Sequence, residues 1–167
     1  MKLTLKILSA LLILMTIACG GKEEKEKETI KLSDNEPKEK VVTEQPATKA
    51  SEKVDLENKG IGPITDLTLP STIDQTMAAR GQEIFKNMCT ACHKTDKKFI
   101  GPKMVGVTER RTPEWIMNMI LNPEVMVQKD PLAKELLIEH NGSPMANQNL
   151  TEEEARAVLE YFRTLKE

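Results

Sequence analysis

Aromatic side chains are scarce in this chain. Trp, Tyr and Phe together make up 3% of it, and the first of them is Phe85. A hydrophobic core therefore cannot begin much before that position. Cysteine is scarcer still, with three residues, and histidine supplies two. No stretch reads as a β-strand, and there is no internal repeat. Charge of neither sign dominates: the formal net charge is -2, so no global basic field argues for nucleic acid. The longest largely apolar run, Leu5 to Ile17, is too short to cross a bilayer comfortably. These absences leave a long preamble followed by a small all-α domain over 73–167. With five aromatic side chains, so small a domain gains from an additional stabilising centre.

The opening MKLTLKILSALLILMTIAC has the grammar of an export signal, with Lys2 and Lys6 as its charged start. It ends in T-I-A-C-G. Small residues before a cysteine resemble a bacterial lipobox, which implies residues 1–18 as signal and acylation of Cys19. Thr16 stands where the commonest lipobox has leucine. The expected location is the bacterial cell envelope, facing the periplasm or on the outer membrane. Residues 20–59 are rich in Lys and Glu with no aromatic residue, a composition that cannot offset its ordering entropy. Such a tether spans about 35 Å in the root-mean-square sense. The expected linker is 19–72, with the scattered aliphatics of GIGPITDLTLPST at its end able to lie extended against the domain. Lys22-Glu23-Glu24 also resembles a surface-export signal.

From Ile73 the pattern turns helical. Met77, Gly81, Ile84, Phe85 and Met88 share a face. TPEWIMNMILNP predicts a helix capped by Thr112, begun by Pro113 and stopped at Asn122-Pro123. DPLAKELLIEHNG repeats that grammar, with Asp130 as cap and Asn141-Gly142 as stop. A last helix begins at the Thr151–Glu154 capping box. Its apolar face is Ala155, Val158, Leu159, Phe162 and Leu165.

The chemistry is concentrated in MCTACHK, residues 88–94. A C-x-x-C pair serves zinc, thiol redox chemistry or covalent haem. Zinc needs four ligands. Adjacent Cys92 and His93, with only His140 and distant Cys19 besides Cys89, supply them poorly. Thiol redox sites prefer a βαβ context, and no strand is in view. C-x-x-C-H is the pattern for covalent haem: each thiol adds across a vinyl group, and the next histidine, His93, points at the iron as proximal ligand. An exported chain suits that reading.

With this motif the chain resembles a class I cytochrome c over about residues 73–167. Gly81 and Phe85 match that family's first helix, and Val158, Tyr161 and Phe162 match positions that pack across it. The implied fold is a small cytochrome c domain of 3–5 helices around one covalent haem c. The resemblance implies that the Pro102 carbonyl, in the Gly101-Pro102 loop, accepts the His93 Nδ1 proton. It implies that Trp115 sits beside the haem propionates. It places the second axial ligand at Met145, in NGSPMANQNL before the last helix. Of the other candidates, Met117 and Met119 on their helix read as core, Met104 stands too near the proximal loop to reach across, Met126 is a further methionine, and His140 is the runner-up. The family often has Met followed by Pro, whereas here Pro144 precedes Met145.

His/Met ligation leaves no position for substrate, so the expectation is an electron carrier with no catalytic residue rather than an enzyme. The alternative is a fixed haem subunit of an enzyme complex, or a ligand-sensing or peroxidase-like haem protein. Lys94, Lys97, Lys98, Lys103, Arg110 and Arg111 face only Asp96 and Glu109 in their stretch, whereas 135–167 is acidic. A basic surface of that kind steers docking onto an acidic redox partner. The partner classes in view are a nitrous oxide reductase and a terminal oxidase, with the chain itself a monomer on the membrane.

Overall fold

The computed structural model of the protein describes residues 48–166. The signal segment, Cys19 and the Lys/Glu-rich stretch up to residue 47 lie outside them. Six helices occur among the described residues: α1 Gln75–Met88, α2 Val107–Arg110, α3 Pro113–Leu121, α4 Pro123–Lys129, α5 Pro131–Glu139 and α6 Glu152–Thr164. No strand is formed there, in keeping with the all-α expectation. The helix count exceeds the expected 3–5 for two reasons. Asn122-Pro123 ends α3, but Pro123 also opens α4, since proline fits the first helical turn as well as it breaks a running one. A single turn, α2, also forms ahead of α3.

The helix starts follow local chemistry. The side chains of Asp74, Thr112 and Asp130 accept from Met77, Trp115 and Ala133 N–H respectively. Thr151 and Glu154 exchange both bonds of a capping box. Positive φ at Asn141 (57°) and Gly142 (72°) carries the chain away from α5. Each cap satisfies backbone donors that would otherwise be orphaned.

The fold is held at the crossing of α1 and α6. A Cβ at Gly81 would stand 1.9 Å from the Ala157 carbonyl oxygen, so only a hydrogen fits there. One turn on, Phe85 meets the Tyr161 and Phe162 rings, each at 5.6 Å between centroids. On the far side of α6, Glu160 is 1% exposed. It accepts from Asp74 N–H at 2.8 Å and from Arg163 at 2.7 Å, and pairs with Arg156. One buried carboxylate thus ties the start of α1 to the last helix.

Residues 50–59, expected as flexible linker, are tied to the domain, and 60–72 lie irregularly against it as the scattered aliphatics suggested. Ala50 is buried. Arg111 donates to the carbonyls of Ala50 and Lys53. Asn58 donates to Asp130 at 2.7 Å. Asn118, fully buried on α3, donates to the carbonyls of Lys59 and Ile64 and accepts from Ile64 N–H. Glu114 accepts from Leu67 N–H at 3.1 Å. This strap is irregular because its backbone bonds go to side chains instead of a helix or sheet ladder, which is why it carries no periodicity.

Burial would raise the Glu160 carboxyl, but the bonds from Asp74, Arg156 and Arg163 outweigh it and hold it below the usual carboxylate value. A depressed folded value means stability that is present above the unfolded value and lost as pH falls through the folded one. Glu160→Gln is expected to lower unfolding free energy near neutrality by about 3 kcal/mol. In chemical denaturation against pH, that deficit should shrink as pH falls through and below the carboxylate range. A deficit constant down to acid pH would contradict this role.

Candidate cofactor site

Helix α1 ends at the cysteines. Cys89 is its C-cap, donating its N–H to Phe85 O. The next turn is closed by Cys92 N–H and His93 N–H, both bonded to Cys89 O, at 3.1 and 2.9 Å. This tight turn places Cys89, Cys92 and His93 on the wall of one cavity. The Gly101-Pro102 loop is pinned to it, since Gly101 N–H donates to Cys92 O at 2.9 Å. A Cβ at Gly101 would lie 2.5 Å from His93 Cε1, so the imidazole is seated against bare backbone. His93 Nδ1 is 3.1 Å from Pro102 O. A carbonyl only accepts, so the proton belongs on Nδ1 and the Nε2 lone pair is left free for a metal. Burial lowers the His93 value below that of ordinary imidazole, against the upward pull of Pro102 and with help from nearby His140. A neutral ring, the form that binds metal, is therefore favoured.

The Cys89 thiol is not built for redox chemistry of its own. Burial, with a smaller contribution from Cys92, pushes the Cys89 thiol up to about 11, the opposite of an activated thiolate. Among the described residues no cluster of three or more His, Cys, Asp or Glu suits a metal ion. Neither the zinc nor the dithiol reading gains support.

The loop between α5 and α6 also reaches this cavity, and half-buried Met145 contributes to the lining. The other methionines separate by position. Met117 is 2% exposed in the core and off the cavity wall. Met126 is fully buried, and its Sδ accepts from Ile61 N–H at 3.0 Å. Met104 and Met119 do reach the cavity, although the helical pattern placed Met119 in the core. Ile116, Ile120, Leu136, Val158 and Phe162 make most of the remaining wall apolar.

Trp115 lines the cavity, and its Nε1–H donates to Asp130 Oδ1 at 3.1 Å. Asp130 thus serves as helix cap and indole acceptor together. One expectation needs correction. Arg111 is 3% exposed, with its guanidinium 5.4 Å from the Trp115 ring centroid, so it is no part of a surface docking patch. Sequence reasoning missed the polar corner formed by Ser51, Arg111 and His140. An arginine pair directly before an apolar helix was the available signal for Arg111; nothing marked Ser51.

The residues present fit haem. Two thiols and an imidazole lone pair stand on one turn, thioether sulfur is on the same cavity wall, and the lining is mostly apolar with a few polar residues. Among the described residues no helix is long and apolar enough to cross a membrane.

The sequence profile of the family described as Cytochrome c matches residues 78–166. No curated protein matches the chain. Cytochrome c from Rhodothermus marinus is 43% identical, with 70% of this chain and 93% of that chain covered and a TM-score of 0.61. An engineered cytochrome c from the same organism, Rma TDE, bound to a carbene intermediate, is 43% identical over 70% of this chain and 94% of that one, with a TM-score of 0.59. On both the sequence match and the structural likeness, this chain belongs to the cytochrome c family, whose members carry covalent haem c and transfer electrons.

Proposed function

We propose that the chain is a lipid-tethered carrier of single electrons, with one haem c attached through Cys89 and Cys92 and ligated by His93 and Met145. One observation carries the reading: the thiols and imidazole at the end of α1 and the Met145 thioether from the loop before α6 line the same apolar cavity. When bound, haem supplies a one-electron couple. The chain's own residues set its character. The Pro102 carbonyl orients His93 and raises its basicity as a ligand. The soft sulfur of Met145 favours the reduced state. Apolar walls limit water and local dielectric, which tunes the potential. With both axial positions taken by side chains, no substrate position remains, which favours a carrier over an enzyme.

Lys97 and Lys98 are exposed beside Phe99 and Ile100, which are 50% and 46% exposed. Ile100 also lines the cavity. An apolar spot ringed by lysines at the cavity mouth suits brief docking on an acidic face. The acceptor we infer is a terminal reductase or oxidase, with nitrous oxide reductase as one candidate. The chain is placed in a bacterial cell envelope with its lipid on Cys19, a residue outside those described.

Three outcomes are expected. Acid-acetone extraction should leave the haem with the polypeptide; haem in the organic phase would rule out thioether attachment. Oxidised protein should show the weak far-red band of methionine-to-iron charge transfer, lost in Met145→Ala and kept in Met126→Ala and His140→Ala. A band that survives Met145→Ala would remove this ligand, and rapid carbon monoxide binding by the reduced wild type would favour a sensor. Intact-mass analysis of membrane-extracted protein should find a chain beginning at Cys19 and carrying a diacylglyceryl group; a soluble chain with another start would remove the tether.

A further inference from the structure

His140 is the second histidine on the cavity wall, and the carrier function does not use it. It is 4% exposed. Its Nδ1 is 2.9 Å from Ile100 O, so that nitrogen carries a proton and donates. Its Nε2 is buried with no partner in the protein. Leaving a buried ring nitrogen unpaired is unfavourable, so a group within the cavity is expected to complete it.

The surroundings say which kind of group. Ser51 donates through both N–H and Oγ to Glu139, at 2.8 and 2.6 Å, and Glu139 directly precedes His140. Arg111 donates to the carbonyl of Ala50, next to Ser51, at 2.6 Å. These contacts gather Ser51, Arg111 and His140 at one polar corner of a largely apolar cavity. Haem is apolar apart from its iron and its two carboxylates, which sit on the ring edge away from the vinyl groups that the cysteines take. His140 is tied to Ile100, the neighbour of Gly101, and Gly101 packs on the His93 ring. That attachment puts it on the His93 side of the cavity, unsuited to ligate from the opposite side.

Building on the covalent-haem reading above, we propose that His140 Nε2 shares a proton with one haem carboxylate, and so is a cofactor-positioning residue. A bare imidazole lone pair facing a carboxylate would repel it. One proton between them satisfies both, and it offsets the carboxylate's negative charge near the iron. Losing it should shift the midpoint potential downward, because an uncompensated carboxylate favours the oxidised, more positive iron.

The test uses the intact haem-loaded protein with ¹⁵N-labelled histidine, in the reduced state. A proton bonded to His140 Nε2, slow to exchange and showing an NOE to propionate methylene protons, is expected. His140→Phe should lose that signal and shift the potential downward while keeping the far-red methionine band. An Nε2 without a proton, a proton with no propionate NOE, or an unchanged potential in His140→Phe would each overturn the proposal. The wild-type NOE decides the matter even where His140→Phe fails to fold. Failure of the carrier reading would look different: no covalent haem, or no far-red band in the wild type.

Discussion

The structure depends on how closely α1 and α6 approach at Gly81. With hydrogen in place of a methyl group, the backbone of Ala157 comes to where a Cβ would stand. That approach sets Phe85 among Tyr161 and Phe162 and fixes the direction in which α1 ends. The cysteines and His93 follow within one turn of that end, and the loop bearing Met145 runs directly into α6. His93 and Met145, far apart in sequence, thus both stand on segments that meet at one helix crossing. Any widening of it would be transmitted to the cavity wall, because close-packed interiors pass strain on and do not absorb it.

The domain compensates for its few aromatics with polar ties that reach across the chain. Arg111, Glu114, Asn118 and Asp130 bind the strap over 50–72. Glu160 binds the start of α1. Buried polar groups of this kind are stabilising only when fully paired. The pairing here is nearly complete, with His140 Nε2 standing apart on the cavity wall. The polar residues that hold the strap therefore also shape the corner of the site, through Ser51 and Arg111.

What was legible in the sequence was local chemistry. The caps at Thr112, Asp130 and Thr151 each involve neighbours within three residues, and they occur where the pattern placed them. Cys89, Cys92 and His93 are likewise set by one turn, and the Pro102 carbonyl lies within hydrogen-bonding distance of His93. Long-range polar pairing was not legible. The strap's partners lie some fifty to seventy residues away and are side chains on or near α3 and at the α5 cap, so most of the segment reads as linker. Asp130 read as a cap, with no sign that it also takes the Trp115 donor. Pro123 read as a stop because proline's role as a start is visible only once a helix follows it.

The central claim is that a single methionine sulfur, from the loop before α6, meets the iron opposite His93. Reduced protein with ¹³C-labelled methionine methyl groups tests it most directly, because a methyl held over the haem ring is displaced far upfield by the ring current. The account predicts one such methyl, assigned to Met145, with those of Met104, Met117, Met119 and Met126 near their ordinary positions. No displaced methyl, or one belonging to Met104 or Met119, would contradict it.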